Sequence, residues 1–345
     1  MCPGPLLPKL WADGLPMWIL LAPPSKDSSR TSSKVWIRVQ VGPNELSFSG
    51  METIDPIYGS GTRFVKSSIE RRRLVNHAFS SQYLSDMEPA FRNSYGIDRF
   101  DGYLQRNGRA SQRKDLLTKT IGKNENDPDA QPDEDIAVEI SNFCFAGADT
   151  TADSLVYLFW ELARNPAVAE KLRLELAGIP LGNGVVQHKS VSKLPFLDAV
   201  ATEALRLYPP TPSGLPRVTP VGGWFEWRIR ASGTVVSTNT WTAHRNPEYF
   251  PDPDKFDPSR WLGDNVSDRM KKLWMPFSKC PRNCIGQSLE LFEMKIVIAT
   301  LVERYNVNID EVMSDEKYGY RGAFPFHSQR GQMSAHIHTR VNNDD

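Results

Sequence analysis

Ten residues near the C-terminus carry the strongest chemical signal: Phe277-Ser-Lys-Cys280-Pro-Arg282-Asn-Cys284-Ile-Gly286, immediately before an apolar helical stretch. A cysteine at a helix start sits where the dipole and unpaired N–H groups favour thiolate. Such a thiolate can ligate iron, with neighbouring backbone N–H groups tuning its basicity. Gly286 lets the backbone pass close to a flat group. Arg282 can reach an anion such as a haem propionate. Two plainer readings stand beside this one. A lone cysteine is most often buried and inert. Cys280 and Cys284 also have CxxxC spacing, as in zinc sites, but no second Cys/His pair has matching spacing; His336 and His338 form a strand-like HxH far along the chain.

Two further groups bear chemistry. Glu203 and Arg206, at i and i+3, face one side of a helix and can lock together, although ExxR is common on ordinary helices. Arg260, in FDPSRW, reads by itself as a loop arginine. Phe145-Ala-Gly-Ala-Asp149-Thr150-Thr151 lies mid-helix, and its small residues thin one face. Thr150 can bond back to a carbonyl one turn earlier and open the helix locally. Asp149 and Thr150 would then line a groove suited to proton delivery. Packing of small residues against a neighbouring helix is the plainer alternative.

The elements that position these groups are legible in part. Residues 1–34, rich in Pro and Ser, read as irregular. Val35–Val41 and Glu45–Ser49 read as strands about a Gly42-Pro43-Asn44 turn. Ser67–Gln82 reads as a basic helix, and the acidic end of 99–132 as a surface loop. Asp133–Arg164 is the longest helix, with Asp133, Glu134 and Asp135 at its positive end. Asn165 and Pro166 suit the cap and first turn of a helix ending near Leu176. Pro195–Leu207 carries Glu203 and Arg206. Strands are expected over 218–240, a proline-rich extended connection over 246–260, and a final helix from about Ile285 to Tyr305 with a stripe through Leu289, Phe292, Ile296 and Leu301. Helices dominate and do not alternate with strands. The fold class is mainly α with small β-sheets (α+β), and a doubly wound sheet is disfavoured.

Composition narrows the function. The 345 residues are 40% apolar, enough for a sizeable core, and 41 basic residues balance 41 acidic ones. That balance argues against a nucleic-acid binder. Four cysteines are too few for a disulfide scaffold. The apolar run Met17–Ala22 is far below the ~20 residues that span a bilayer and lacks the basic flank of a signal peptide, so no anchor is expected.

Taken in order, AGADTT, EALR, PDPDKFDPSRW and FSKCPRNCIG resemble the motifs of the cytochrome P450 family, with GPNELSF, IYGSGTRFVKS and RRRLVNHAFS as weaker matches. The resemblance covers roughly residues 35–95 and 110–340 and is closest to fungal microsomal members. It implies a haem-thiolate monooxygenase that inserts one oxygen atom of O2 into an apolar organic substrate, in secondary metabolism, using haem b and electrons from NADPH through a reductase. By the same resemblance Cys284 is the axial ligand of the haem iron and Phe277 shields it. Arg282, Arg217 and Arg72 meet propionates. Glu203, Arg206 and Arg260 form a buried structural triad, and Asp149 and Thr150 manage protons and oxygen. The family implies association with the endoplasmic reticulum membrane; a chain without the anchor is expected in the cytoplasm.

Three departures qualify this. Cys280 and Ser68 stand where the family usually has Gly and Trp or His. Only 77 positions separate Arg72 from Asp149, too few for the helices that roof the family's pocket. The expectation is therefore one domain over 35–345, internally shortened around 90–132 and lacking part of the distal helices. A non-catalytic remnant with impaired haem binding is the alternative function.

Overall fold

The computed structural model describes residues 20–21, 37–42, 45–64, 107–108, 133–212, 215–220, 233–279, 282–309 and 335–339. The expected basic helix with Ser68 and Arg72, Cys280, and the expected shortening around 90–132 (apart from Asn107 and Gly108) lie outside these residues.

In chain order the elements are β1 (Leu20–Leu21), β2 (Ile37–Gly42), β3 (Glu45–Phe48), α1 (Ile54–Tyr58), α2 (Asp133–Arg164), α3 (Pro166–Leu176), β4 (Leu181–Gly182), β5 (Val185–Val186), α4 (His188–Val191), α5 (Pro195–Leu207), β6 (Arg217–Val218), β7 (Val235–Thr238), α6 (Thr240–Ala243), α7 (Asp268–Leu273), α8 (Gln287–Arg304), β8 (Tyr305–Ile309) and β9 (Ala335–Thr339). Short 3-10 turns occupy Met51–Thr53, Pro258–Trp261 and Gly263–Asn265. Helices thus outweigh strands among the described residues. None of these helices is long and apolar enough to cross a membrane.

The bounds of α2, α3 and α5 are those expected. At the junction of α2 and α3, however, Asn165 does not cap α3 with its side chain. Its Nδ2 donates backward, to the carbonyl of Glu161 at 2.8 Å and to the Glu161 carboxylate at 3.0 Å. The buried Glu161 is the stronger acceptor and wins. The start of α5 is capped across the fold: the Glu175 carboxylate accepts from the N–H groups of Phe196 and Leu197, both at 2.8 Å. Leu20–Leu21, in the segment expected to be irregular, pairs with Arg38 and Ile37.

The main core packs α2, α3, α5 and α8 through Leu158, Leu172, Leu197, Leu205 and Ile298, among others. The expected stripe on α8 is displaced. Phe292 is buried, but the other buried apolar positions are Met294, Ile298, Ala299 and Val302, while Leu289, Ile296 and Leu301 are half-buried. Met294, Ile298 and Val302 recur every four residues, one face of the helix.

A five-stranded sheet has the order β1-β2-β3-β7-β6. β3 and β7 are parallel, with Glu45 opposite Val235 and Phe48 opposite Thr238. A second core, with Phe48, Ile57, Tyr58, Val236, Phe250 and Met275, lies under this sheet. β6 pairs antiparallel with β7, placing Arg217 opposite Val236.

Candidate active site

A cavity of about 240 Å³, or about 840 Å³ with its open mouth included, is lined by Ala146 and Thr150 of α2 and by Phe277, Arg282 and Cys284 of the loop before α8, with Pro210, Leu215, Met275, Ser278 and Glu290 completing much of its wall. Two motifs more than 120 residues apart therefore share one space. Cys284 is exposed. Its N–H donates to the Phe277 carbonyl at 2.7 Å, which closes the loop on itself. α8 begins at Gln287, with Gly286 as its cap, within two residues of the expected start. Gly286 has φ −80°, and a Cβ there would meet only Cys284 Sγ, at 3.8 Å. The backbone accepts a side chain at that position, so a need for glycine arises only from a group lying against it. The left-handed residue in this loop is Ser278, at φ 58°. A non-glycine residue there stores strain next to the site.

Thr150 donates its hydroxyl to the Ala146 carbonyl at 2.6 Å, one turn earlier. Helix α2 nevertheless runs unbroken past it. Asp149 is half-buried and is not among the residues lining the cavity.

Glu203, Arg206 and Arg260 meet away from the cavity. Arg206 grips the carboxylate with two bonds, Nε to Oε2 at 2.8 Å and Nη2 to Oε1 at 2.9 Å, and both side chains are fully buried. Arg260 Nε reaches Glu203 Oε1 at 3.3 Å. The remaining Arg206 protons go to backbone carbonyls of His244, Pro253 and Lys255. A buried charge pair is tolerated only when so fully bonded. Two partners escape a sequence reading. Trp261 Nε1 donates to Glu203 Oε2 at 2.8 Å, and the N–H of Asp257 donates to Oε1 at 3.0 Å. The tryptophan stood beside Arg260 in FDPSRW, but an indole carries no charge pattern to mark it as a partner. Trp261 also lies edge-on to Trp274, which lies edge-on to Phe277, so aromatic rings run from the charge network to the cysteine loop.

Glu290 also went unread. It is buried on α8, lines the cavity and accepts from Ser154 Oγ at 3.2 Å. Burial raises its pKa to about 7, Glu293 adding to the rise and the Ser154 bond opposing it.

Arg217 tests whether an anionic cofactor fits. It is 3% exposed, and its Nη2 is buried without a hydrogen-bond partner among the described residues. Burial lowers its pKa; Tyr58 opposes this, and the Arg282 guanidinium lowers it further. Two cations press on each other, one with an unsatisfied N–H. An anionic group resolves both costs. With a thiol in the adjacent cavity, the set fits a flat iron cofactor bearing carboxylates.

Residues 72–334 match the family model for cytochrome P450. The chain is 30% identical to a cytochrome P450 monooxygenase (ORF9) of Penicillium roqueforti over 71% of its own length and 48% of that protein's. It is 37% identical to a cytochrome P450 monooxygenase (orf2) of Aspergillus niger over 51% of its length and 37% of that protein's. It is 32% identical to human cytochrome P450 4F8 over 68% of its length and 44% of that protein's. The chain thus spans half or less of the length of these relatives.

Proposed function

The chain belongs to the cytochrome P450 family, and from that premise we propose that it is a haem-thiolate monooxygenase acting on an apolar organic substrate in secondary metabolism, with electrons from NADPH through a reductase and association with the endoplasmic reticulum membrane. The observation that carries this reading is the shared cavity: Cys284 on one wall, Thr150 on the other, and the Arg217–Arg282 pair beside them.

Haem b bound through a thiolate supplies O2 binding and an electron push that favours O–O cleavage. The chain supplies the rest. Cys284 Sγ would hold the iron, and its loop is kept closed by the bond to Phe277. Arg282 and Arg217 would hold the carboxylates, with Arg72 as a third candidate. Gly286 would leave the face beside the sulfur flat, and Phe277 would shield the thiolate once the cofactor covers the loop. Across the cavity, Thr150 Oγ1 spends its own proton on Ala146, so its lone pairs are left as acceptors. A proton arriving at Oγ1 moves on when the Ala146 bond breaks. Asp149, one residue earlier and half-buried, is the nearest acid in sequence to refill it. Glu203, Arg206 and Arg260 hold the scaffold.

A second reading, a non-catalytic remnant with impaired haem binding, draws on the 76 residues between Arg72 and Asp149. One experiment separates the two. The chain is loaded with haem, reduced and treated with CO. A thiolate-type spectrum that Cys284→Ser abolishes supports the monooxygenase site. Failure to retain haem supports the remnant.

A further inference from the structure

His244 joins two regions far apart in the chain, the Glu203–Arg206–Arg260 cluster and the cysteine loop. It follows α6, with its N–H donating to Thr240 O at 2.9 Å, and it is fully buried. Its ring has two facing groups of fixed character. Nδ1 lies 2.9 Å from the Arg206 carbonyl, which can only accept, so Nδ1 carries the proton. Nε2 is then bare and accepts the N–H of Met275 at 2.8 Å. The carbonyl of His244 in turn accepts from Arg206 Nη1 at 2.9 Å. These partners admit one neutral tautomer and no imidazolium, because a proton on Nε2 would point at the Met275 N–H. Charges around the ring press the same way: Arg206, Arg245 and Lys279 are all cations.

Met275 begins the segment that ends at the sulfur. Its carbonyl accepts the N–H of Ser278 at 3.0 Å, and Phe277 O accepts the N–H of Cys284 at 2.7 Å. A buried N–H that lost its acceptor would have to move to find another. The geometry points to His244 as a positioning residue: its ring ties Met275, and through it the Cys284 loop, to the depth in the fold set by Arg206. This inference rests on the reading of Cys284 as the iron ligand. Among the described residues the ring bonds only the backbone of Arg206 and Met275, so it acts by holding Met275 in place.

The role separates two substitutions of similar bulk. In His244→Gln the carboxamide oxygen reaches the place of Nε2 and can accept from Met275. In His244→Asn the shorter amide can serve Arg206 O but leaves the Met275 N–H bare. A general packing role would make the two alike.

Hydrogen exchange on the full haem-free chain reads the difference directly. In His244→Asn the Met275 and Cys284 amides are expected to exchange about tenfold faster or more, the loss of one buried bond, with α5 amides unchanged. His244→Gln should stay near wild type. In haem-loaded samples of equal haem content, the reduced, CO-bound form of His244→Asn should lose thiolate signature, and His244→Gln should keep it. Unchanged Met275 exchange in His244→Asn overturns the proposal, as does equal acceleration in both variants extending through α5. If the wild-type chain takes up no haem, the reading of Cys284 fails, and the Met275 exchange still decides the tie.

Discussion

Two side chains in the cavity make opposite demands on their surroundings. Cys284 must be reachable, and it is exposed; Cys284→Ser should remove the thiolate spectrum while Cys280→Gly keeps it, and the reverse pattern would move the ligand to Cys280. Glu290, by contrast, is held toward its neutral form by burial. Its unfolded-state pKa is near the ordinary 4.5 and its folded one about 7, so the folded chain holds the proton more tightly. The stability this gives is complete below 4.5 and is lost as pH rises through 7. Glu290→Gln, isosteric with the neutral acid, should stabilise the haem-free chain by about 2–3 kcal/mol near pH 8 and by little near pH 5. Thermal unfolding at the two pH values checks it, and an equal gain at both would mean the carboxyl is not desolvated.

At the scale of elements, α5 is fixed at both ends by other parts of the molecule, at its start by Glu175 and near its end by Arg206 and the 244–261 connection. Glu203→Ala would leave Arg206 buried and uncompensated, a loss of ~3–5 kcal/mol, comparable to the whole stability of many domains. Little soluble, haem-loaded protein is expected; normal yield with merely slower turnover would show the network is not structural. Trp261→Phe should cost less, about 1–3 kcal/mol, since it removes one bond to the same carboxylate, and denaturant titration can rank the two. The bounds of α2, α3 and α5 were legible because strong punctuation marks them: Asp-Glu-Asp, Asn-Pro and Tyr-Pro-Pro. Helical spacing put Glu203 and Arg206 on one face, but their burial as a network with Arg260 was implied only by the family resemblance. His244 was not legible, because its partners are backbone groups of Arg206 and Met275, which carry no side-chain signature.

At the scale of the whole molecule, buried titratable groups oppose one another. His244 takes a proton near 6.5 when unfolded and only at about 3 when folded, so its contribution is full above 6.5 and is lost as pH falls. Glu290 and Glu293, both raised to about 7, lose theirs as pH rises. From these groups, the haem-free chain is expected to be most stable near pH 4.5–5 and to weaken toward both pH 3 and pH 8; a stability maximum above pH 7 would contradict the two raised carboxyls. Coupling is a second property of the whole. The proposed activity requires water to be excluded from activated oxygen, and with only 76 residues between Arg72 and Asp149 we expect most reductant to appear as peroxide and water. Tight coupling of reductant to product would show that the pocket closes regardless. The parallel pairing of β3 with β7 has a consequence in time. Glu45 waits for Val235, and at ~5–20 residues per second a ribosome needs roughly 10–40 s to supply it. Until then β3 has only β2 beside it, and β2 has beyond it only the two residues of β1, a partial sheet that is marginal in water. The sheet therefore closes on the schedule of translation, and a pause in synthesis between these strands prolongs the life of an uncovered edge.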